Sequence, residues 1–509
     1  MNVDFSSRPH EHHVILEYVK TSTNFGYSFF TTAVSKCIIV NQKEVFMGNL
    51  IHALDTFLWG WPLILVLIGT HIFMTIRTGF IQKEIFKAIK LSVTDDDGEN
   101  GEISQFGALT TALSSTIGTG NIIGVGTAIA LGGPGAVLWM WVTGIFGMAT
   151  KYSETLIALK YRVKSENGSM IGGAMYALDR GLHMKWLGIL FAGLTAVCGL
   201  GIGCMVQSNG VAENLNQNFG VPSIAAAIVL TVIVALVILG GIQSISKVSE
   251  KLVPFMAGFY VIGCFVILIM NIQYIPQTIV TIVKGAFDPS AIGGGFVGTT
   301  ISVCCRYGFA RGLFSNESGM GSAPLIASAA KTRNPKRQAL VSMTGTFWDT
   351  VVICLLTGLV LVSCILRYPS IDALSGNGAL LTSQAFSTIP LIGMPILVLG
   401  LITFAFSTIL GWYYYGERCS VYLFGEKAIK PYKVIWVVCV FIGAVTSIDV
   451  IWDFADFMNG LMAIPNIVAV LLLSRIVVEE TKKYAGKHID DTDTTEVEVL
   501  KNADKGVIG

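Results

Sequence analysis

The sequence predicts an all-α polytopic membrane protein with eleven transmembrane helices, and three observations carry that reading. Of its 509 residues, 53% are hydrophobic and only 13% charged, against about 25% charge in an ordinary soluble domain. Apolar runs of the roughly 20 residues that a spanning helix needs recur along the whole chain. Lysine and arginine collect in alternate loops between those runs.

The elements follow in order. Residues 1–46 are mixed in character and carry no cleavable signal pattern. "MGNLIHALDTFLWGWPLILVLIGTHIF" leads from Met47 straight into the first apolar run, so either the extension is dispensable or Met47 is the natural start. The eleven spans lie near 53–76, 104–131, 134–150, 186–206, 223–243, 252–272, 292–320, 339–365, 393–416, 434–450 and 457–475. From about residue 478 the chain is charged and polar, which predicts a solvated, disordered tail. Loops after odd-numbered spans hold twenty Lys and Arg residues, and those after even-numbered spans hold only Lys284 and Arg367. The positive-inside bias therefore places the N-terminus outside and the odd loops and the tail in the cytoplasm; the expected location is the cell (inner) membrane.

A net charge of +1 argues against a nucleic-acid partner. The 10 cysteines sit mostly in apolar runs with no CxxC pair and read as small hydrophobes. Histidines at 10, 12, 13, 52, 71, 183 and 488 form no ligand cluster, so neither an enzyme nor a cofactor is expected.

With span 1 set aside, ten spans divide into five and five of opposite topology. This gives a first helix and its loop over 47–103, one repeat over 104–272, an inverted repeat over 273–475 and a tail over 476–509. Each half opens on a polar, glycine-rich interruption: "STIGTGNIIGVG" in one and "RYGFARGLFSNESGMG" in the other. Paired interruptions in inverted halves point to a transporter's midplane site. A broken helix exposes amides and carbonyls that hydrocarbon cannot hydrate, so they must line a cavity or be buried in protein.

The first interruption does not read as a phosphate loop: "GTGNIIG" misses the GxGxxG spacing and no acid stands about 20 residues on. Gly120 and Gly124 form a GxxxG contact motif, but close packing alone leaves Ser114, Ser115, Thr116, Thr119 and Asn121 unexplained. In the second interruption, Arg311 and Glu317 read as an ion pair that braces the irregular backbone or also gates the inner mouth. Ser407 and Thr408 either bond back to their own helix or supply two hard oxygens to a cation. Trp412 either walls a pocket or belongs to an aromatic belt. Gln207 either bonds a polar substrate or marks a membrane boundary, and Asp349 is a buried acid free to titrate or to pair.

Taken together, "ALSSTIGTGNIIGV", "GGPGAVLWMWV", "FGMATKYSETLIALKYR", "GIGCMVQSN", "RGLFSNESGMGSAP", "FAFSTILGWYYYGER" and "NGLMAIPN" resemble the alanine or glycine:cation symporters, the sodium:alanine symporter family, within residues 50–478. The resemblance implies a LeuT-like fold, five plus five inverted helices after one extra N-terminal helix. It also implies symport of a small neutral amino acid with sodium as coupling ion. Carried over residue by residue, it assigns Gly118, Thr119, Gly120 and Asn121 to the substrate, with Gln207, Phe314 and Trp412 as further pocket candidates. One sodium would take carbonyls near Ser114 and Ile117 plus the Ser407 and Thr408 hydroxyls, and a second Thr116 and Asn121. Cys204 stands where the family carries Asn, and Ser208 where Ala is usual, departures that bear on alanine against glycine. An ion channel would need a continuous polar path, which isolated breaks do not offer. Proton coupling through Asp349 or Glu317 is the alternative to sodium.

Overall fold

The computed structural model describes residues 48–96, 98, 101–165, 168–288, 299–446, 449–500 and 506–508. The chain divides into residues 1–54 and 55–509. Of the first unit, residues 48–54 are helical and the rest lie outside the described residues, as does the expectation about residues 1–46.

The second unit is mostly helical. Besides short helices at Ile85–Ser92 and Ala174–Tyr176, its helices are α1 (Trp61–Arg77), α2 (Gln105–Thr116), α3 (Ile123–Gly132), α4 (Ala136–Lys160), α5 (Lys185–Cys198), α6 (Val206–Phe219), α7 (Ser223–Leu239), α8 (Gly241–Met270) and α9 (Ile275–Phe287). They continue with α10 (Ile301–Asn316), α11 (Ala323–Ala327), α12 (Pro335–Thr346), α13 (Leu355–Arg367), α14 (Gly378–Ser387), α15 (Gly393–Phe424), α16 (Ile429–Val445), α17 (Asp449–Leu472) and α18 (Ser474–Lys483). A hairpin of β1 (Val163–Lys164) and β2 (Met170–Ile171) follows α4. Local chemistry fixes the starts: Ser104 caps α2 by accepting from the Gly107 amide at 2.8 Å, and Asn334 caps α12 by accepting from Arg337 at 3.0 Å.

Among the described residues, seven helices are long and apolar enough to cross a membrane. The other four expected segments each differ for a physical reason. Those near 104–131 and 292–320 are broken, α7 has 17 residues, and α4 carries Lys151 and Glu154 within its length. Outward faces are apolar, as at Leu236, Phe255, Ile262 and Ile269, each about two-thirds exposed. Such a belt suits contact with lipid.

Two differences from the sequence reading concern charge. Lys151, counted there as a loop residue, is buried inside α4. Its ammonium lies 3.4 Å from Glu154 and donates to the Glu317 carbonyl at 3.1 Å. The tail beyond 478 is not free of structure. Asn334 donates to the Ile489 and Asp491 carbonyls, Arg337 pairs with Asp490 at 2.8 Å, and Val499 bridges Lys164 of β1. Its charged residues find partners on the loops they face.

The Glu154 carboxylate is the pin of this region. One oxygen accepts from the Gly319 amide at 3.1 Å, the Gly321 amide at 3.2 Å and the Asn466 side chain at 2.8 Å. Both glycines have positive φ, +89° and +80°, so the loop can wrap the carboxylate without strain. Removing one member of a buried ion pair costs about 3–5 kcal/mol because the other charge is left uncompensated. Glu154→Ala is therefore expected to lower the melting temperature of the purified protein sharply. Glu154→Gln combined with Lys151→Met keeps an acceptor for the amides and is expected to recover most of that loss. Equal losses in both proteins would contradict the pinning role.

Candidate functional site

The site is built where the two interrupted helices meet α15. Helix α2 stops at Thr116, Ile117 turns extended at φ −75°, ψ 94°, and a single turn over Thr119–Asn121 precedes α3. Helix α10 stops at Asn316, and Glu317 adopts a left-handed conformation at φ +53°. Each break folds its asparagine back on itself: the Asn121 oxygen accepts from the Gly118 amide at 2.8 Å and the Asn316 oxygen from the Ser318 amide at 2.9 Å. In this way the side chain satisfies an amide that the helix no longer does.

Asp349 joins the breaks. It lies in a π-helical turn, Phe347–Cys354, between α12 and α13, and is fully buried. Its carboxylate accepts from Asn121 at 2.6 Å, Ser315 at 2.9 Å and Thr350 at 2.6 Å. Among the described residues it makes no ion pair. A buried anion held only by neutral donors creates a demand for a cation or a proton.

Oxygens that suit a small hard cation converge beside the first break. The Ser407 hydroxyl lies 3.1 Å from the Ser114 carbonyl and the Thr408 hydroxyl 3.5 Å from that of Ile117. Both hydroxyls also lie 2.9 Å from the Phe404 carbonyl. Both hydroxyls thus bond back to their own helix and also reach toward the first break, which brings five neutral oxygens into one neighbourhood, a hard donor set that suits an alkali or alkaline-earth ion rather than a soft metal. Thr116, expected at a second cation, bonds back to Ala112 at 3.3 Å and Leu113 at 3.4 Å.

Next to these oxygens is a small cavity of about 20 Å³, room for one water-sized molecule. Gly118, Thr119, Gly120, Gln207, Phe314 and Trp412, six of the seven residues expected to hold a substrate, line it. The seventh, Asn121, turns to Asp349 instead. Ser315, Glu317 and Asn459 complete the polar wall. Two glycines are required by close approach. A methyl at Gly118 would sit 2.8 Å from the Thr408 hydroxyl, and one at Gly203 would sit 2.2 Å from the Trp412 Cβ. Gly124, by contrast, meets nothing within 4 Å, so the GxxxG pair makes no close contact there.

Thr119 also borders a larger cavity of about 360 Å³, walled by Glu213, Asn214 and Gln217 of α6 and by α14. The Thr119 hydroxyl and the Gln207 oxygen, 3.4 Å apart, stand between the two spaces.

The expected Arg311 and Glu317 pair does not form. Arg311 reaches Asp456 of α17 at 4.0 Å, and its guanidinium lies 5.8 Å from the Phe314 ring. Glu317 points the other way and accepts from Ser322 at 2.5 Å. The reversal of backbone hand at Glu317 sends the two side chains apart. Sequence reasoning missed Phe404, Ser315, Glu154 and Asp456. Phe404 contributes only a backbone carbonyl, which its identity cannot signal, whereas the charges of "TKYSE" at the end of an apolar run were a signal that could have found Glu154.

The sodium:alanine symporter family model matches residues 44–498. The sodium/alanine symporter AgcS of Methanococcus maripaludis is 49% identical over 444 residues, 86% of this chain and 97% of that protein. A structure of MhsT in complex with L-phenylalanine aligns with TM-score 0.50 at 13% identity, over 76% of this chain and all of that one. A substrate-bound outward-open Na+-coupled sialic acid symporter aligns at 0.51 and 12%, over 82% and 87%. These two likenesses show a LeuT-like fold.

The donor set gives a direct test. Sodium at about 100 times its dissociation constant would stabilise a binding protein by about 2.7 kcal/mol. Replacing choline by sodium is expected to raise the melting temperature of the unsubstituted protein, and to do so far less in Ser407→Ala or Thr408→Val. Equal shifts in all three would rule out these hydroxyls as ligands.

Proposed function

The chain belongs to the sodium:alanine symporter family, a family of transporters and not of enzymes, and from that premise we propose that it carries a small neutral amino acid, alanine or glycine, together with sodium by alternating access. The observation that carries this reading is the approach of the Ser407 and Thr408 hydroxyls to the Ser114, Ile117 and Phe404 carbonyls, beside a small cavity that Thr408 helps to line. Eleven transmembrane helices, arranged as five plus five inverted after an extra first helix, would place that cavity at the midplane. The N-terminus would be outside and the tail cytoplasmic, in the cell (inner) membrane.

In this scheme sodium enters the five-oxygen set first. The hydroxyl protons of Ser407 and Thr408 turn away from the carbonyls, and the oxygens close on the ion, fixing the geometry of the first break. The amides of Thr119 and Gly120 then face the substrate carboxylate, as helix N-termini favour anions, while the Gly118 amide stays with Asn121 and its missing side chain leaves room at the cavity wall. Gln207 and Glu317 offer oxygens to the ammonium, while Phe314 and Trp412 restrict the side chain. A second sodium would draw on Asn121 and the Thr116 backbone, with Asp349 supplying the charge. Arg311 and Asp456 would form the outer gate, in place of the inner gate expected from Arg311 and Glu317, and the 360 Å³ space beyond Thr119 would be the outer vestibule.

One charge crossing about 100 mV gains about 2.3 kcal/mol, and a tenfold sodium gradient adds about 1.4 kcal/mol. Together they sustain roughly a 500-fold gradient of a neutral substrate. The cation demand of Asp349 favours one second reading: a proton on that carboxylate in place of sodium. Uptake of radiolabelled alanine into proteoliposomes, with sodium replaced by choline at fixed pH, separates the two. Loss of uptake is expected, and undiminished uptake would remove sodium coupling.

Asn121 carries a second test. Asn121→Ala breaks the link between Gly118 and Asp349 and is expected to abolish uptake while folded protein remains in the membrane. Transport at the unsubstituted rate would refute the role given to that link.

A further inference from the structure

The extra first helix is not needed for a five plus five repeat, yet the turn leading into it reaches the lid of the cavity. Trp59, two residues before α1, is 8% exposed. Its indole N–H donates to the Asp456 carbonyl at 2.9 Å, and its ring stands edge-on to Phe314 with centroids 6.5 Å apart. Phe314 forms part of the cavity wall, and Asp456 is the residue that Arg311 reaches. Arg311 in turn lies over the Phe314 ring. Two further contacts anchor the helical residues just before that turn. Arg306 of α10 donates to the Thr56 carbonyl at 3.4 Å, and a methyl at Gly460 of α17 would meet Leu58 at 2.7 Å.

We propose that Trp59 is a positioning residue that latches the outer gate, holding the Phe314 ring over the cavity and Asp456 within reach of Arg311. The inference rests on the transporter reading above. Opening the gate would move α10 away from α17, and Trp59 touches both with two different groups, a hydrogen-bond donor to one and a ring edge to the other. Closure around a bound substrate therefore includes contacts that lie outside the ten-helix repeat. Aromatic edge contacts and single hydrogen bonds each make a modest contribution, which suits an element that must release on every cycle.

The test uses the full-length protein purified in sodium and loaded with radiolabelled L-alanine, with release followed after isotope dilution. Trp59→Ala removes both contacts and is expected to speed release about tenfold. Trp59→Phe keeps a ring against Phe314 but removes the donor, and is expected to speed it about threefold. The melting shift caused by sodium should stay as in the unsubstituted protein, which separates a gate effect from general damage. In an Arg311→Ala background, Trp59→Ala should add little, since both act on one closure. Release at the unsubstituted rate in Trp59→Ala, or fully additive effects with Arg311→Ala, would overturn the latch. If Trp59→Ala fails to fold, Trp59→Phe carries the same test. Absence of alanine binding by the unsubstituted protein would instead remove the transporter reading.

Discussion

Everything at the centre of this molecule hangs on one buried carboxylate that has no ion pair among the described residues. Asp349 takes hydrogen bonds from Asn121 in the first break and Ser315 in the second, 2.6 and 2.9 Å away. It thereby ties together two helices that would otherwise end in hydrocarbon. A neutral residue there would join the breaks less strongly and would ask for no cation. A residue with its own lysine partner would be satisfied without one. The same carboxylate that joins the two breaks is, in the proposed scheme, the group that an arriving positive charge would neutralise.

The surroundings follow from that constraint. Each interrupted helix is braced on the side away from Asp349: the first by α15 through Ser407 and Thr408, the second by α4 through Glu154 and Lys151. The two braces differ in kind. Weak contacts between neutral oxygens can be exchanged for a bound ion, whereas the Glu154 carboxylate and its three donors form a fixed clamp. The first break is therefore the adjustable one. The central cavity of about 20 Å³ is too small for an amino acid, so this conformation is contracted, and loading it requires the walls formed by Phe314, Thr119 and Gln207 to separate.

Much of this was legible in the sequence, and the failures share a cause. Periodic apolar runs gave the helical membrane class, and the glycine-rich interruptions marked both breaks within a few residues. Six of seven expected pocket residues line one cavity because they sit on or beside those breaks, where the chain has few alternatives. Pairings across the structure were less accessible. Arg311 and Glu317 are six apart in sequence and opposite in charge, yet a single left-handed residue separates them. Lys151 looked like a loop residue because its partners, Glu154 among them, become visible only when α4 packs against the second break. Phe404 acts through its carbonyl, and the tail is ordered by loops hundreds of residues away. Side-chain identity carries none of that.

The central claim is that the charge on Asp349, and not merely its hydrogen bonds, sets the affinity for the coupling ion. Asp349→Asn nearly preserves shape while removing the charge: its carbonyl oxygen still accepts from Asn121, and its amide NH2 meets the Ser315 and Thr350 hydroxyls, which can turn to accept. The decisive measurement is equilibrium binding of radiolabelled alanine to that purified variant as sodium is titrated. The account predicts that the sodium concentration needed for half-maximal binding rises at least about tenfold, the equivalent of about 1.4 kcal/mol. A sodium dependence equal to that of the unsubstituted protein would contradict it.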